Sequence, residues 1–201
     1  MNPVCPSLAI RVACVVCPLA VAACSQDYTY VPVTTTSAAV AGRPAAEYAI
    51  SARGAPSVGG EVRVATLGFV PVRWQEPTGW TSGQALDVRM VMTNDGDARW
   101  AMDLRDQFVE LTGGGQWVAP LVALGPETPP TRLVVEPGSQ RTVDLFFPLP
   151  QPLRGATSLP TFDVHWSLYS NGKRVERRTT FDRIAFPPDS DESSRWQRYA
   201  L

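Results

Sequence analysis

Along much of the chain apolar residues recur at every second position, in short runs broken by glycine, proline and asparagine. The clearest run is "ALDVRMVMTN" (85–94): Leu86, Val88, Met90 and Met92 fall on one side of an extended strand, Asp87, Arg89 and Thr93 on the other. "GEVRVATLGFV" (60–70) alternates in the same way, with Val62 and Val64 against Glu61 and Arg63. "RWAMDL" (99–104) follows an acidic turn, Asn94-Asp95-Gly96-Asp97. "QFVELTGGGQWVAPL" (107–121) reads as a hairpin turning on Gly113-Gly114-Gly115. "TRLVVEPGSQRTVDLFFPLP" (131–150) sets a turn at Glu136-Pro137-Gly138 before a strand with Val143, Leu145 and Phe147 on one face. In "TFDVHWSLYSNGKRVERRTTFDRIAF" (161–186), Asn171-Gly172 is a two-residue hairpin signal, because both positions accept positive φ. No segment holds a helical period over about twelve residues. The pattern predicts an all-β domain, a β-sandwich of about seven strands spanning residues 58–187.

The two ends of the chain differ from this. Residues 12–23, "VACVVCPLAVAA", form an apolar run behind a single positive side chain, Arg11. Twelve helical residues cover about 18 Å, short of the roughly 30 Å hydrocarbon core, and Pro18 interrupts them. A weakly positive start, a short apolar middle and small residues at the end describe a secretory signal, residues 1–23. All four cysteines, Cys5, Cys14, Cys17 and Cys24, lie in the first 24 residues. Val21-Ala22-Ala23-Cys24 resembles the lipobox of bacterial lipoproteins, which implies acylation of Cys24 and removal of the other three cysteines with the signal. The alternative is an ordinary signal cleaved near Ala23, which would leave Cys24 an unpaired thiol in an oxidising compartment. Two or three acyl chains hold a protein on a membrane stably, where one is marginal. Ser25 at the second mature position fits outer-membrane sorting, with the inner membrane as the alternative. Residues 24–57 are rich in small residues, threonine and proline and read as a flexible linker, with a short strand near Tyr48–Ala52. Residues 188–201 read as a loose polar tail.

Composition narrows the function. Hydrophobic residues make up 44% of the 201, enough for a core, and 19 prolines with 15 glycines favour turns over long helices. The near-neutral net charge of −1 argues against a nucleic-acid binder, which needs a strongly basic surface to neutralise phosphates. Losing residues 1–23 removes Arg11 and no acid, leaving a net of −2.

A catalytic triad needs a base, and the chain has one histidine, His165, in a strand whose apolar face is Phe162, Val164, Trp166 and Leu168. His165 therefore shares the opposite face with Asp163 and Ser167 and reads as a hydrogen-bonding surface residue. One histidine and no mature thiol beside Cys24 argue against zinc or copper, and no cofactor is expected. Asp95 and Asp97 with Asn94, and Asp103 or Asp106 nearby, could gather oxygen ligands for calcium, but Asn-Asp-Gly-Asp is more simply a turn. The remaining candidates are binding residues. Trp74, Trp80 and Trp117 sit near predicted loops, whereas Trp100 and Trp166 follow the core alternation. Arg174, Arg177 and Arg178, with Arg183, cluster on the last hairpin, either for an anionic partner or as charge that blunts a strand edge.

"LDVRMVMTNDGDARW", "FVELTGGGQWVAP" and "LVVEPGSQRTVDLFFPLP" together resemble the telokin-like, immunoglobulin-like domains of bacterial secreted proteins and lipoproteins. The resemblance covers about residues 60–186 and implies a fold and a location in the cell envelope; it carries over no catalytic residue. The expected protein is a non-catalytic, lipid-anchored envelope module. It would meet the membrane through Cys24 and bind or assemble with an envelope protein partner. The alternative is a binder of glycan or anionic polymer, with a hydrolase behind both.

Overall fold

A computed structural model of the chain describes residues 28–34, 37–51, 58–76, 78–111, 115–124, 131–170 and 172–185. The described residues form thirteen strands: β1 (Tyr28–Pro32), β2 (Ala39–Val40), β3 (Arg43–Pro44), β4 (Ala46–Ser51), β5 (Val58–Glu76), β6 (Gly79–Asn94), β7 (Trp100–Asp103), β8 (Phe108–Leu111), β9 (Gln116–Val118), β10 (Arg132–Val135), β11 (Ser139–Pro148), β12 (Thr161–Ser170) and β13 (Lys173–Ala185). A seven-stranded sheet runs β1-β13-β12-β7-β10, with β8 also on β12 and β9 on β8. A four-stranded sheet runs β11-β6-β5-β4, and β2 and β3 form a two-stranded ribbon. The fold is an all-β sandwich.

The alternation along each strand builds the core. Val62, Val64, Leu86, Val88, Met90, Met92, Leu145 and Phe147 line the inner face of the four-stranded sheet and are almost wholly buried. Val109, Leu111, Phe162, Val164, Trp166, Leu168 and Phe181 meet them from the seven-stranded sheet. Fully burying each large side chain is worth about 1.5–3 kcal/mol. Trp100 and Trp166 are in this core, as their alternation predicts.

The expected linker 24–57 contains four of the strands. β1 pairs along its whole length with β13, from Tyr28↔Ala185 to Pro32↔Phe181, and β4 pairs with β5. Tyr30 fixes β1 from inside: its ring packs edge-on against Phe162 (5.0 Å). Its hydroxyl donates to the Leu159 carbonyl (3.0 Å) and accepts from the Leu159 N–H (2.7 Å). Tyr48 of β4 packs on Trp166 and shares a hydrogen bond of 2.9 Å with Thr179. Two buried or half-buried tyrosines thus hold a segment whose small and polar composition reads as linker.

Two turns set the ends of the sheets. The Asn94 side chain donates to the carbonyls of Ala98 (2.9 Å) and Val135 (3.0 Å) and accepts from Gly96 N–H (3.1 Å). Its oxygen is thereby engaged within the turn. Beside it, Gly60 has φ +132, and a Cβ there would lie 2.1 Å from the Thr93 carbonyl and 2.7 Å from the Trp100 ring. Ser170 pairs with Lys173, which leaves the two-residue connection between β12 and β13 that the sequence predicts. A bulge between Thr66 and Gly68 bends β5 where Thr66 Oγ1 donates to the Asp87 carbonyl (3.0 Å).

Beyond the bulge, β5 and β6 run on past the end of β11 as a two-stranded arm, paired from Pro71↔Gln84 to Glu76↔Gly79. The segment 148–156 closes one side of it, through Leu149 N–H to the Gln84 carbonyl and Gln84 N–H to the Arg154 carbonyl. No helix among the described residues is long and apolar enough to cross a membrane.

Candidate binding cleft

The outer face of the seven-stranded sheet gathers most of the polar and aromatic candidates. Register puts Glu110 and Thr180 beside Asp163, and Phe108 and Arg178 beside His165. Trp117 of β9 lies opposite Glu110. Three rings stack there across three strands. Phe108 and Trp117 have centroids 4.0 Å apart at 20°, Phe108 and His165 are 4.4 Å apart at 14°, and Trp117 and His165 are 5.6 Å apart. The outermost ring, Trp117, is 61% exposed.

This stack forms one wall of a cleft of about 290 Å³. Its opposite side carries Asp106, Ser167, Arg174, Glu176 and Arg177. Arg174 organises that side: its Nε lies 3.0 Å from Glu176 Oε1, and its Nη2 lies 3.9 Å from Asp106 Oδ2 and 3.4 Å from Ser167 Oγ. Arg177 donates to the Glu176 carbonyl (2.8 Å). Two arginines and two carboxylates line the cleft, so its charged groups carry both signs in balance.

Gln107 holds the two walls in place. β12 pairs with β8 at Phe162–His165 and with β7 at Tyr169 and Ser170, leaving a gap in the ladder between them. The buried Gln107 amide fills it, donating to the Ser167 carbonyl (3.2 Å) and accepting from the Ser167 N–H (2.8 Å). The same amide donates to the Asp103 carbonyl (2.5 Å), and Asp103 caps the 3-10 turn Leu104–Asp106 by accepting from Arg105 N–H. A side-chain amide thus stands in for a strand's backbone and places Asp106 on one side of the cleft and Phe108 on the other.

Behind the stack, Glu110, Asp163 and His165 present one ligand atom each within 4.8 Å of one another, and they are the described residues that could hold a metal ion. Each is already engaged. His165 Nε2 is 3.0 Å from Glu110 Oε2, and Asp163 Oδ1 accepts from Thr180 Oγ1 (2.5 Å) and lies 3.9 Å from Arg178 Nε. The Arg178 guanidinium already sets a positive charge near Asp163.

The structure therefore brings together Trp117, Arg174 and Arg177, and sets Arg178 next to them on Asp163. Trp80 stands apart on the β5–β6 arm, 63% exposed. Trp74 is corrected: it is only 7% exposed, with its indole N–H on Glu76 Oε1 (3.2 Å) and Arg154 over its ring, so it is a covered residue of the arm. Cys24 lies outside the described residues. The sequence reading does not single out Phe108 or Gln107, and it names Asp106 only as a calcium ligand beside the Asn94–Asp97 turn. The signal for Phe108 is present: in "QFVEL", Val109 and Leu111 take the core face, which puts an aromatic ring on the outer one.

No protein-family model matches the chain, and no curated protein matches it. Among solved structures it is similar to the yjhA protein from Bacillus subtilis at 13% identity, with a TM-score of 0.36 over 58% of this chain and 80% of that one. It is also similar to Northeast Structural Genomics Consortium target SoR45 at 16% identity, with a TM-score of 0.32 over 66% of this chain and 90% of that one. At these scores neither likeness carries an argument about what the cleft does.

Proposed function

We propose that the chain is a lipid-anchored protein of the bacterial envelope whose sandwich is a non-catalytic binding module, with its ligand site in the cleft between the ring stack and Arg174. The lipobox-like Val21-Ala22-Ala23-Cys24 and the resemblance to telokin-like domains of lipoproteins support the envelope placement, with Ser25 favouring the outer membrane. The cleft supports the binding role. One observation carries the choice of ligand: an apolar wall of stacked rings faces Asp106, Arg174, Glu176 and Arg177, two carboxylates and two guanidinium groups whose formal charges cancel.

A ligand that suits both walls has an apolar ring face and many hydroxyl or amide groups that donate and accept, and no net charge. That is a neutral sugar ring. An anionic polymer fits less well, because Arg174 already has its carboxylates and displacing them would uncover two negative charges. The cleft volume of about 290 Å³ sits at the small end of ligand pockets, which run from roughly 300 Å³ upward, and suits one or two rings. His165 supports the non-catalytic reading: its Nε2 is held by Glu110 and its ring is packed against Phe108.

The test is a titration of the purified protein with cellobiose, chitobiose and a uronic-acid disaccharide, followed by tryptophan fluorescence. A neutral disaccharide should give a saturable change that varies little with salt, and Trp117→Ala should weaken it about tenfold, the loss of roughly 1.4 kcal/mol of stacking. Tighter binding of the uronic acid with steep salt dependence, or no saturable change with any of the three, would overturn the neutral-sugar reading.

A further inference from the structure

We infer that the exposed face of the β5–β6 arm, with Trp80 and Arg73, is a second membrane contact that lies in the lipid headgroups beside the anchor; this rests on the lipidation of Cys24 proposed above. Register sets Arg73 opposite Ser82 and Gln75 opposite Trp80, so these four side chains share one face, and all but Ser82's neighbour Gln84 along that face are exposed. The Arg73 guanidinium stands 4.9 Å over the Trp80 ring. The other face of the arm carries Trp74 and Glu76 and is covered by Arg154, whose Nη2 is 2.6 Å from Glu76 Oε1. The arm's one acid is thus paired on the covered side. What remains open is an indole, a guanidinium and uncharged groups. Amphipathic aromatic rings and arginine are the side chains that settle at a membrane interface, and a cation there is drawn to anionic headgroups.

Position turns this chemistry into a proposal. Tyr30 packs on Phe69 with centroids 6.2 Å apart, which places β1 and the base of the arm at one level. From there β1 runs back two residues to Tyr28 and β5 runs on seven residues to Glu76, both away from the end holding Gly60 and Trp100. The Tyr28 hydroxyl bonds the Thr157 carbonyl, in the segment that continues from the cover of the arm, so the strand start and the arm belong to the same pole. At about 3.3 Å per residue, the arm tip stands roughly 23 Å past Phe69, and Tyr28 roughly 7 Å past Tyr30. The four steps from Tyr28 back to Cys24 span at most about 14 Å. An acylated Cys24 therefore keeps the membrane surface no farther out than the arm tip itself reaches.

The experiment uses the lipidated full-length chain in phosphatidylcholine–phosphatidylglycerol vesicles, with a spin label on Thr78→Cys at the arm tip or on Asp97→Cys at the opposite pole. Cys24 is blocked by its acyl chain, so each label is unique. The Thr78 label should be protected from a water-soluble nickel chelate about threefold or more over the Asp97 label, and adding Trp80→Ala with Arg73→Ala should remove most of that protection. If the protein floats with the vesicles and both labels are equally accessible, the arm contact is wrong while the anchor stands. If the mature chain carries no acyl mass and does not float, the anchor fails and this inference falls with it.

Discussion

Asp87 shows how a single side chain can work against the fold that holds it. It sits on the outer face of the four-stranded sheet, buried, with Oδ1 lacking a hydrogen-bond partner. Burial first, and the neighbouring Asp144 carboxylate second, push its pKa from 3.8 up to about 6, against the pull of Arg89. Arg89 itself is committed to Asp144 through two bonds of 2.6 and 2.7 Å. A raised acid binds its proton more tightly in the folded than in the unfolded chain. Stability should therefore fall as pH rises from about 4 to above 6, and Asp87→Asn should remove that loss. We expect the variant to be more stable than the parent by about 1–2 kcal/mol at pH 7 and by little at pH 4, read from urea unfolding at the two values. A variant no more stable at pH 7 would show that Asp87 is not held charged at a cost. The sequence shows Asp87 facing outward, and it does; that something covers it is a matter of tertiary packing, which alternation does not encode. The same limit explains Trp74. Its place near a turn is legible, but its cover comes from Arg154, eighty positions away.

Elements were legible in proportion to how strongly they alternate. β6 and β12, each with four apolar residues on one face, stand where the pattern puts them, and the register of β12 with β13 is that of a two-residue connection. β1 was not legible, because it is an edge strand with Thr29 and Pro32 in it and depends on one tyrosine that finds Leu159 far along the chain. Gln107 was not legible either: a buried glutamine that replaces a missing stretch of strand leaves no periodic trace. Its importance can be measured. Gln107→Ala leaves the Ser167 N–H and carbonyl without partners and should destabilise the sandwich by about 2–3 kcal/mol. It should also weaken disaccharide binding, because Asp106 and Phe108 lose their common support. A loss of stability without any change in the fluorescence titration would separate the two effects and detach Gln107 from the cleft.

At the scale of the whole molecule, the arm and the cleft lie at different points along the long strands. The arm and the start of β1 share one pole. The cleft lies well along β13 from there, since Arg174 is eleven positions from Ala185, about 36 Å of strand. On the proposed acylation of Cys24, the first pole faces the membrane and the cleft lies along the sheet away from it. The sandwich itself then supplies the stand-off that the segment 24–57 was expected to give as a tether. The most direct measurement is site-specific photo-cross-linking in intact cells, with the photoreactive residue at position 117 in the cleft and, as control, at position 97. Position 117 should yield a sugar-bearing adduct that excess neutral disaccharide suppresses, and position 97 should not. Equal adducts from both positions, or none from position 117 beyond the control, would contradict the cleft as the binding site; a recurrent protein adduct there would keep the cleft and replace the sugar with an assembly partner.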